Sequence, residues 1–136
     1  MGSVVDMSPI LALKSEMLKH EQIELPTEHI FHGGMYCRQM FQPAGTIVLG
    51  KVHLSEHFFM VVSGTLQIGT ERVEAPYLMT CEPGVQRALY ALTDALYMTI
   101  HRTDATTVEQ AEAELVEPDP DSPFLVGNTL PKKALT

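Results

Sequence analysis

The sequence predicts a mainly β fold, a small antiparallel sandwich or barrel with one helix before it and one after it. Two observations carry this. From Ile30 to His101 the chain runs in short stretches of Val, Ile, Phe, Tyr and Thr, residues that suit a pleated, half-buried surface. These are cut by turn signals at Gly33-Gly34, Pro43-Ala44-Gly45, Ser63-Gly64, Gly69, Ala75-Pro76, Pro83-Gly84 and Thr93-Asp94. The breaks recur roughly every 6–12 residues, a spacing that suits a sandwich or barrel rather than βαβ units.

The strands expected are 35–42, 46–53, 57–62, 65–68, 77–81, 86–91 and 95–101. Ahead of them, Ser8 to Gln22 reads as a helix. Ser8 can cap it, Pro9 suits its first turn, Ile10, Leu13, Met17 and Leu18 recur at helical spacing, and Pro26 stops it. Behind them, Val108 to Val116 reads as a second helix. Thr106-Thr107-Val108-Glu109 has capping-box spacing, with Thr106 as the cap and Glu109 reaching back. The prolines of Glu117-Pro118-Asp119-Pro120-Asp121-Ser122-Pro123 keep that acidic stretch extended, and Phe124 to Thr136 reads as a tail. The organisation expected is a helical arm over 1–27, a barrel over 28–104, and a C-terminal helix with a Pro-rich acidic tail over 105–136.

Composition narrows the function classes. A chain of 136 residues with 45% hydrophobic content suits one domain with one core. The formal charge of −8 argues against a nucleic-acid partner, because phosphate binding rests on clustered Lys and Arg. No apolar run nears the ~20 residues of a membrane span. Met1-Gly2-Ser3-Val4-Val5-Asp6 lacks a basic region followed by an apolar run, so a cytoplasmic protein is expected. Cys37 and Cys81 are too few for a disulfide framework and are expected as reduced, buried thiols. The eight methionines read as core filler.

The chemistry concentrates in Gly45 to Gly64. His53-Leu54-Ser55-Glu56-His57 matches the H-x-x-E-H pattern of inverted zinc proteases, but that pattern needs a helix. Here the flanks, Thr46-Ile47-Val48 and Phe58 to Val62, are strand-like. On a strand, His53, Ser55 and His57 share one face while Glu56 points away. Two such imidazoles are either a metal pair, suited to Zn, Fe, Ni or Cu, or hydrogen-bonded polar groups in a cavity.

The segment resembles the first cupin motif, G-x5-H-x-H-x3,4-E-x6-G, reading here Gly45-x5-Lys51-x-His53-x3-His57-x6-Gly64. Lys51 stands at the first histidine and His57 at the glutamate. Glu82-Pro83-Gly84-Val85-Gln86-Arg87 answers the second motif, P-x-G-x-x-H, with Arg87 in the last ligand's place. The resemblance implies a single cupin barrel, a double-stranded β-helix or jelly roll. It is closer still to small cupin-like proteins of tailed bacteriophages. The features shared with them run from Tyr36-Cys37-Arg38 through Gly50-Lys51-Val52-His53 and Pro83-Gly84-Val85-Gln86-Arg87 to Thr99-Ile100-His101. This implies a phage source, with the host cytoplasm or the virion as its place.

His101 is the third candidate ligand. On strand alternation Tyr97, Thr99 and His101 share a face, and if that face lines the barrel, His53, His57 and His101 make an open three-histidine metal site. The alternative is a histidine capping the strand at the surface. Lys51 and Arg87, placed nearby by the cupin register, either bind a small anion or pair with Glu56, Glu82 or Asp94. Arg38 alternates out of an apolar strand and reads as a solvated or salt-bridged residue.

The expected cofactor is a divalent metal: Zn, Fe, Ni or Mn. Cupin barrels commonly pair, so a homodimer or higher oligomer is expected. Three functions follow: binding of a metal or small anion without turnover, a structural part bound to phage structural proteins, or a metal-dependent enzyme on a small organic acid, sugar or nucleotide.

Overall fold

Alternation along the strands builds this molecule, so the two sheets are best read by which residues they turn inward. The computed structural model describes residues 8–120 together with Ser122, Gly127 and Leu130. After α1 (Ser8–Met17) come nine strands: β1 (Thr27–His32), β2 (Met35–Gln42), β3 (Ile47–Leu49), β4 (His57–Ser63), β5 (Thr65–Ile68), β6 (Glu71–Glu74), β7 (Tyr77–Cys81), β8 (Ala88–Ala91) and β9 (Ala95–Arg102). Helix α2 (Val108–Leu115) follows. The strands form a five-stranded sheet, β1-β2-β9-β4-β7, and a four-stranded sheet, β3-β8-β5-β6, every pairing antiparallel.

Between the sheets lies the main core, in which Val61, Leu66, Ala91 and Ala95 are fully buried among Met40, Phe59, Ile68, Leu89 and Tyr97. Gln42 is the polar member of this interior, and it is satisfied. Its amide donates to the carbonyls of Thr46 (2.9 Å) and Leu89 (3.1 Å), and its oxygen accepts from the Tyr97 hydroxyl at 2.8 Å. Gly64 closes the β4–β5 turn at φ +88°, and a Cβ there would run into the Asp94 carbonyl oxygen and Ala95. Glycine is required at this motif position by close approach of two backbones.

Several expectations shift. Strands 35–42, 65–68 and 77–81 form as read, while β1 and β6 were not anticipated. The first helix ends at Met17 rather than Gln22. The Gln22 side chain turns back to donate to the carbonyls of Met17 (2.8 Å) and His20 (2.9 Å), the first of which a longer helix would have bonded internally. The cap of α2 is Thr107, one residue later than expected: its side chain accepts from the Gln110 N–H, and Gln110, not Glu109, bonds back to the Thr106 N–H at 3.2 Å. Both cysteines are free thiols, Cys81 buried and Cys37 half-buried. The tail lies largely outside the described residues. Where described, it bonds back to the body through Gly127 N–H to Glu112 (3.0 Å) and Leu130 N–H to Glu24 (3.1 Å).

Strand 46–53 is cut to Ile47–Leu49, and the reason bears on the site. Past Leu49 the backbone leaves the sheet and bonds elsewhere. Gly50 N–H donates to Arg87 O, and the Gln86 side chain donates to Gly50 O, both at 2.9 Å. Then Leu54 N–H donates to Leu115 O (2.8 Å) and Glu117 N–H to Val52 O (2.9 Å), an antiparallel bridge of His53 with Val116. The end of α2 therefore holds the loop that carries His53. Ala111 and Leu115 fix α2 in turn, packing against Tyr36 and Phe31.

Candidate metal centre

The inner face of the five-stranded sheet changes character along its strands. At one end Met40, Tyr97 and Val61 face the core; two residues on, the row is Arg38, Thr99, Phe59 and Met79; two further on it is Tyr36, His101 and Cys81, with His57 beside His101. His53 reaches this last row from its loop. Its carbonyl accepts from Gly84 N–H (2.9 Å), where Gly84 takes a left-handed φ of +84°. His53 and His57 thus meet as expected, although a loop and not strand alternation brings His53 in. Glu56 is exposed, as read, and residues 53–56 are not helical.

The three imidazoles form one cluster. Ring centroids lie 4.3 Å apart for His53–His57, 4.3 Å for His57–His101 and 4.8 Å for His53–His101. One ligand nitrogen from each falls within 4.8 Å of the others. His101 is buried at 3% exposure, so it is not a surface cap. His57 Nδ1 donates to the Ser55 carbonyl at 3.0 Å, which orients the ring and leaves Nε2 as a lone-pair donor. His53 Nδ1 and His101 Nε2 stand 2.9 Å apart. Two nitrogens sharing a metal at about 2.0–2.1 Å are separated by roughly 3.0–3.4 Å, so the pair needs little movement to become two ligands.

Burial keeps all three histidines neutral. Desolvation, with the neighbouring histidines adding, pushes His53 down to about 3 and His101 down to about 4; desolvation also lowers His57, with Arg87 helping. Neutral imidazole is the metal-binding form. A purely hydrogen-bonded cluster would be expected to satisfy itself, and this one does not. Among the described residues, two buried side-chain polar atoms lack a partner, and both belong here: His101 Nδ1 and Ser55 Oγ. The donor set, three neutral imidazoles with a ligand nitrogen from each within 4.8 Å of the others, fits a metal held by three histidines.

The cavity beside the triad has a volume of about 80 Å³. Lys51, Arg87 and Arg38 all line it, along with His53 and His57, and no carboxylate does. Lys51 pairs with Glu112 at 3.4 Å, a partner outside those expected, and Glu112 also accepts from Gly127. Asp94 is spent on the Ala44 N–H instead. The Arg87 charge favours ionisation of the Cys81 thiol, but burial outweighs it and raises the thiol's pKa. Arg38 corrects the sequence reading. It lies on the inward face of β2 with Tyr36, Met40 and Gln42, while Cys37 and Phe41 face out. The Tyr36-x-Arg38-x-Met40-x-Gln42 alternation was legible, but a charged residue was assumed to face water.

No family model matches the sequence, and no curated protein matches it. Solved structures do match. An acetylacetone dioxygenase from Acinetobacter johnsonii aligns over 57% of this chain and 59% of its own, at 9% identity and TM-score 0.50. A cupin superfamily protein from Desulfitobacterium hafniense aligns over 66% and 87%, at 7% identity and TM-score 0.51. A protein from Neisseria meningitidis aligns over 74% and 100%, at 10% identity and TM-score 0.51. The fold is that of a cupin. At such identities the likeness concerns the barrel alone, and this chain spans about three-fifths of the dioxygenase's length. Nothing in these matches links it to a bacteriophage. Among the described residues no helix is long and apolar enough to cross a membrane.

Proposed function

We propose that this cupin binds one divalent metal ion through His53, His57 and His101 and holds a small anion beside it. The observation that carries the reading is the convergence of three neutral imidazoles on one point next to a cavity lined by cations and no acid. Three nitrogen donors without a carboxylate favour Zn, Fe or Ni over Mn, which prefers oxygen ligands. When bound, such an ion supplies Lewis acidity toward a ligand oxygen. Lys51 and Arg87 line the same cavity and supply positive charge to an anion there.

Turnover of a small organic acid is the second reading. The cavity volume, about 80 Å³, favours it over a sugar or nucleotide. The cavity offers no carboxylate as acid or base, and burial holds the Cys81 and Tyr97 protons in place, which favours binding over catalysis. Metal analysis of protein purified without added metal tests the first reading. About one Zn, Fe or Ni per chain is expected, lost in the His53→Ala/His57→Ala double variant; a metal-free wild type would reject it.

The reading also includes self-association through the outer face of the five-stranded sheet. Ile30, Phe58 and Leu78 are exposed there, in register with Met60, Met98 and Ile100. From the strand spacings the patch covers on the order of 400 Å², within the ~300–600 Å² of the largest apolar patch on a typical monomer, a patch that is often functional. A second copy fits because this central patch is uncharged on a chain of formal charge −8, so two copies meet there without opposing carboxylates. A role in a phage particle would use the same face, and its support is the sequence resemblance alone.

A further inference from the structure

Arg38 is a charge on the inward face of the sheet without an evident structural use. Among the described residues its guanidinium makes no hydrogen bond and no ion pair, whereas Lys51 has Glu112 and the Arg87 charge acts on the Cys81 thiol. Desolvation is the largest influence on it, and it depresses the protonation of His53, His101 and Lys51 in turn, so it sits among them. The guanidinium is half-buried on the cavity wall, and its planar fork of five N–H donors is open to a partner there. Its cross-strand neighbour Thr99 lines the same cavity and carries a hydroxyl. Arg38 stands one inward row from the histidines, two residues along the strand, or roughly 7 Å.

We propose that Arg38 is the anchor for a small carboxylate, held in a two-pronged pair with the guanidinium and with its other end toward the histidine cluster. The class follows from three features. The fork of Arg matches the two oxygens of a carboxylate in one plane. The volume admits a short acid and little more. The rest of the wall next to Arg38, namely Met40, Phe59, Met79 and Tyr97, is apolar and suits an alkyl chain. The inference deepens the anion-binding part of the proposed function and does not depend on the metal.

The test uses metal-free protein and titrates propionate and butyrate against the uncharged amide of each, followed by NMR shifts of the cavity residues. The acids should bind, and the amides should bind about 10- to 100-fold more weakly. Arg38→Gln should lose acid binding by the same factor, Arg38→Lys should recover part of it, and Arg72→Gln, at an exposed arginine on β6, should change nothing. Equal binding of acid and amide, or retained binding in Arg38→Gln, overturns the proposal. Thermal melting of the ligand-free protein separates a structural role: Arg38→Gln should melt at or above the wild-type temperature, because an unpaired charge is removed, and a fall of several degrees overturns the proposal. A chain that holds propionate through Arg38 but carries no metal would reject the metal reading and leave this one standing.

Discussion

The two faces of the five-stranded sheet each depart from the simple rule of apolar inside and polar outside. Its inner face carries Arg38, His57 and His101, while its outer face exposes Ile30, Phe58 and Leu78 to solvent. Each departure costs free energy in an isolated chain. Polar groups inside lose water without full hydrogen-bonding compensation, and apolar groups outside order water at the surface. The costs differ in kind, and so do the occupants that would relieve them. The inside needs ligands with charge and lone-pair acceptors; the outside needs another apolar face.

Neighbouring phenylalanines on β4 give the sharpest contrast. Phe59 is 6% exposed and packs on Tyr97 with centroids 5.2 Å apart, whereas Phe58, one residue before it, is 47% exposed. Phe59→Ala should cost about 3–5 kcal/mol in urea unfolding, the range for a large buried aromatic. Phe58→Ala should change monomer stability by no more than about 0.5 kcal/mol. Its effect should appear in sedimentation, where the wild type should run as a dimer at micromolar concentration and Phe58→Lys as a monomer. A wild type that stays monomeric at ten times that concentration removes the interface reading, and equal costs for the two phenylalanines would remove the contrast.

The polar interior should show itself in acid. Burial depresses His53 to about 3 and His101 to about 4, and lowers His57, so the metal-free native state stays unprotonated where the unfolded chain takes up protons. The unfolded state then binds more protons, and stability falls as pH drops from about 6.5 toward 4, by up to about 1.4 kcal/mol per pH unit for each histidine held neutral. Above about pH 7 this contribution is fully present. His53→Gln should flatten the slope between pH 6 and 4 in chemical unfolding. An unchanged slope would mean that the triad is more open to water than its burial indicates.

The sequence made the barrel legible because turn signals and β-formers repeat at short intervals, and strands 35–42, 65–68 and 77–81 match to the residue. It missed β6, where Val73 alone among Glu71, Arg72 and Glu74 turns inward, because three charges masked the alternation. It missed β1 for a related reason: His29 turns inward and Ile30 outward, the reverse of the rule that apolar residues point in. Arg38 was misplaced by the same rule. The histidine set was found, since H-x3-H and a strand-ending histidine are visible in one dimension. What placed His53 was not visible, because its loop is held by the backbone of Leu115 and Glu117, some sixty residues away. Sequence patterns report which face a residue would take on a strand, and they fail where polar residues take the inner face or a distant segment supplies the bonds.

That distant support gives the smallest effect, and it bears on the inner face alone. Thr107 caps α2 through the Gln110 N–H at 3.2 Å, so Thr107→Ala should cost about 1 kcal/mol, while Thr106→Ala, which removes no capping oxygen, should cost a few tenths at most. Because the last turn of α2 holds the His53 loop, part of the Thr107→Ala loss should appear as faster hydrogen exchange at Leu54 N–H and Glu117 N–H, the two donors that join loop and helix end. Self-association through the outer face should be untouched, since α2 packs against Tyr36 and Phe31 and not against Phe58 or Leu78. If exchange at Leu54 is unchanged while that at Ala111 quickens, helix and loop open separately, and the inner face owes the placement of His53 to Gly84 and not to α2.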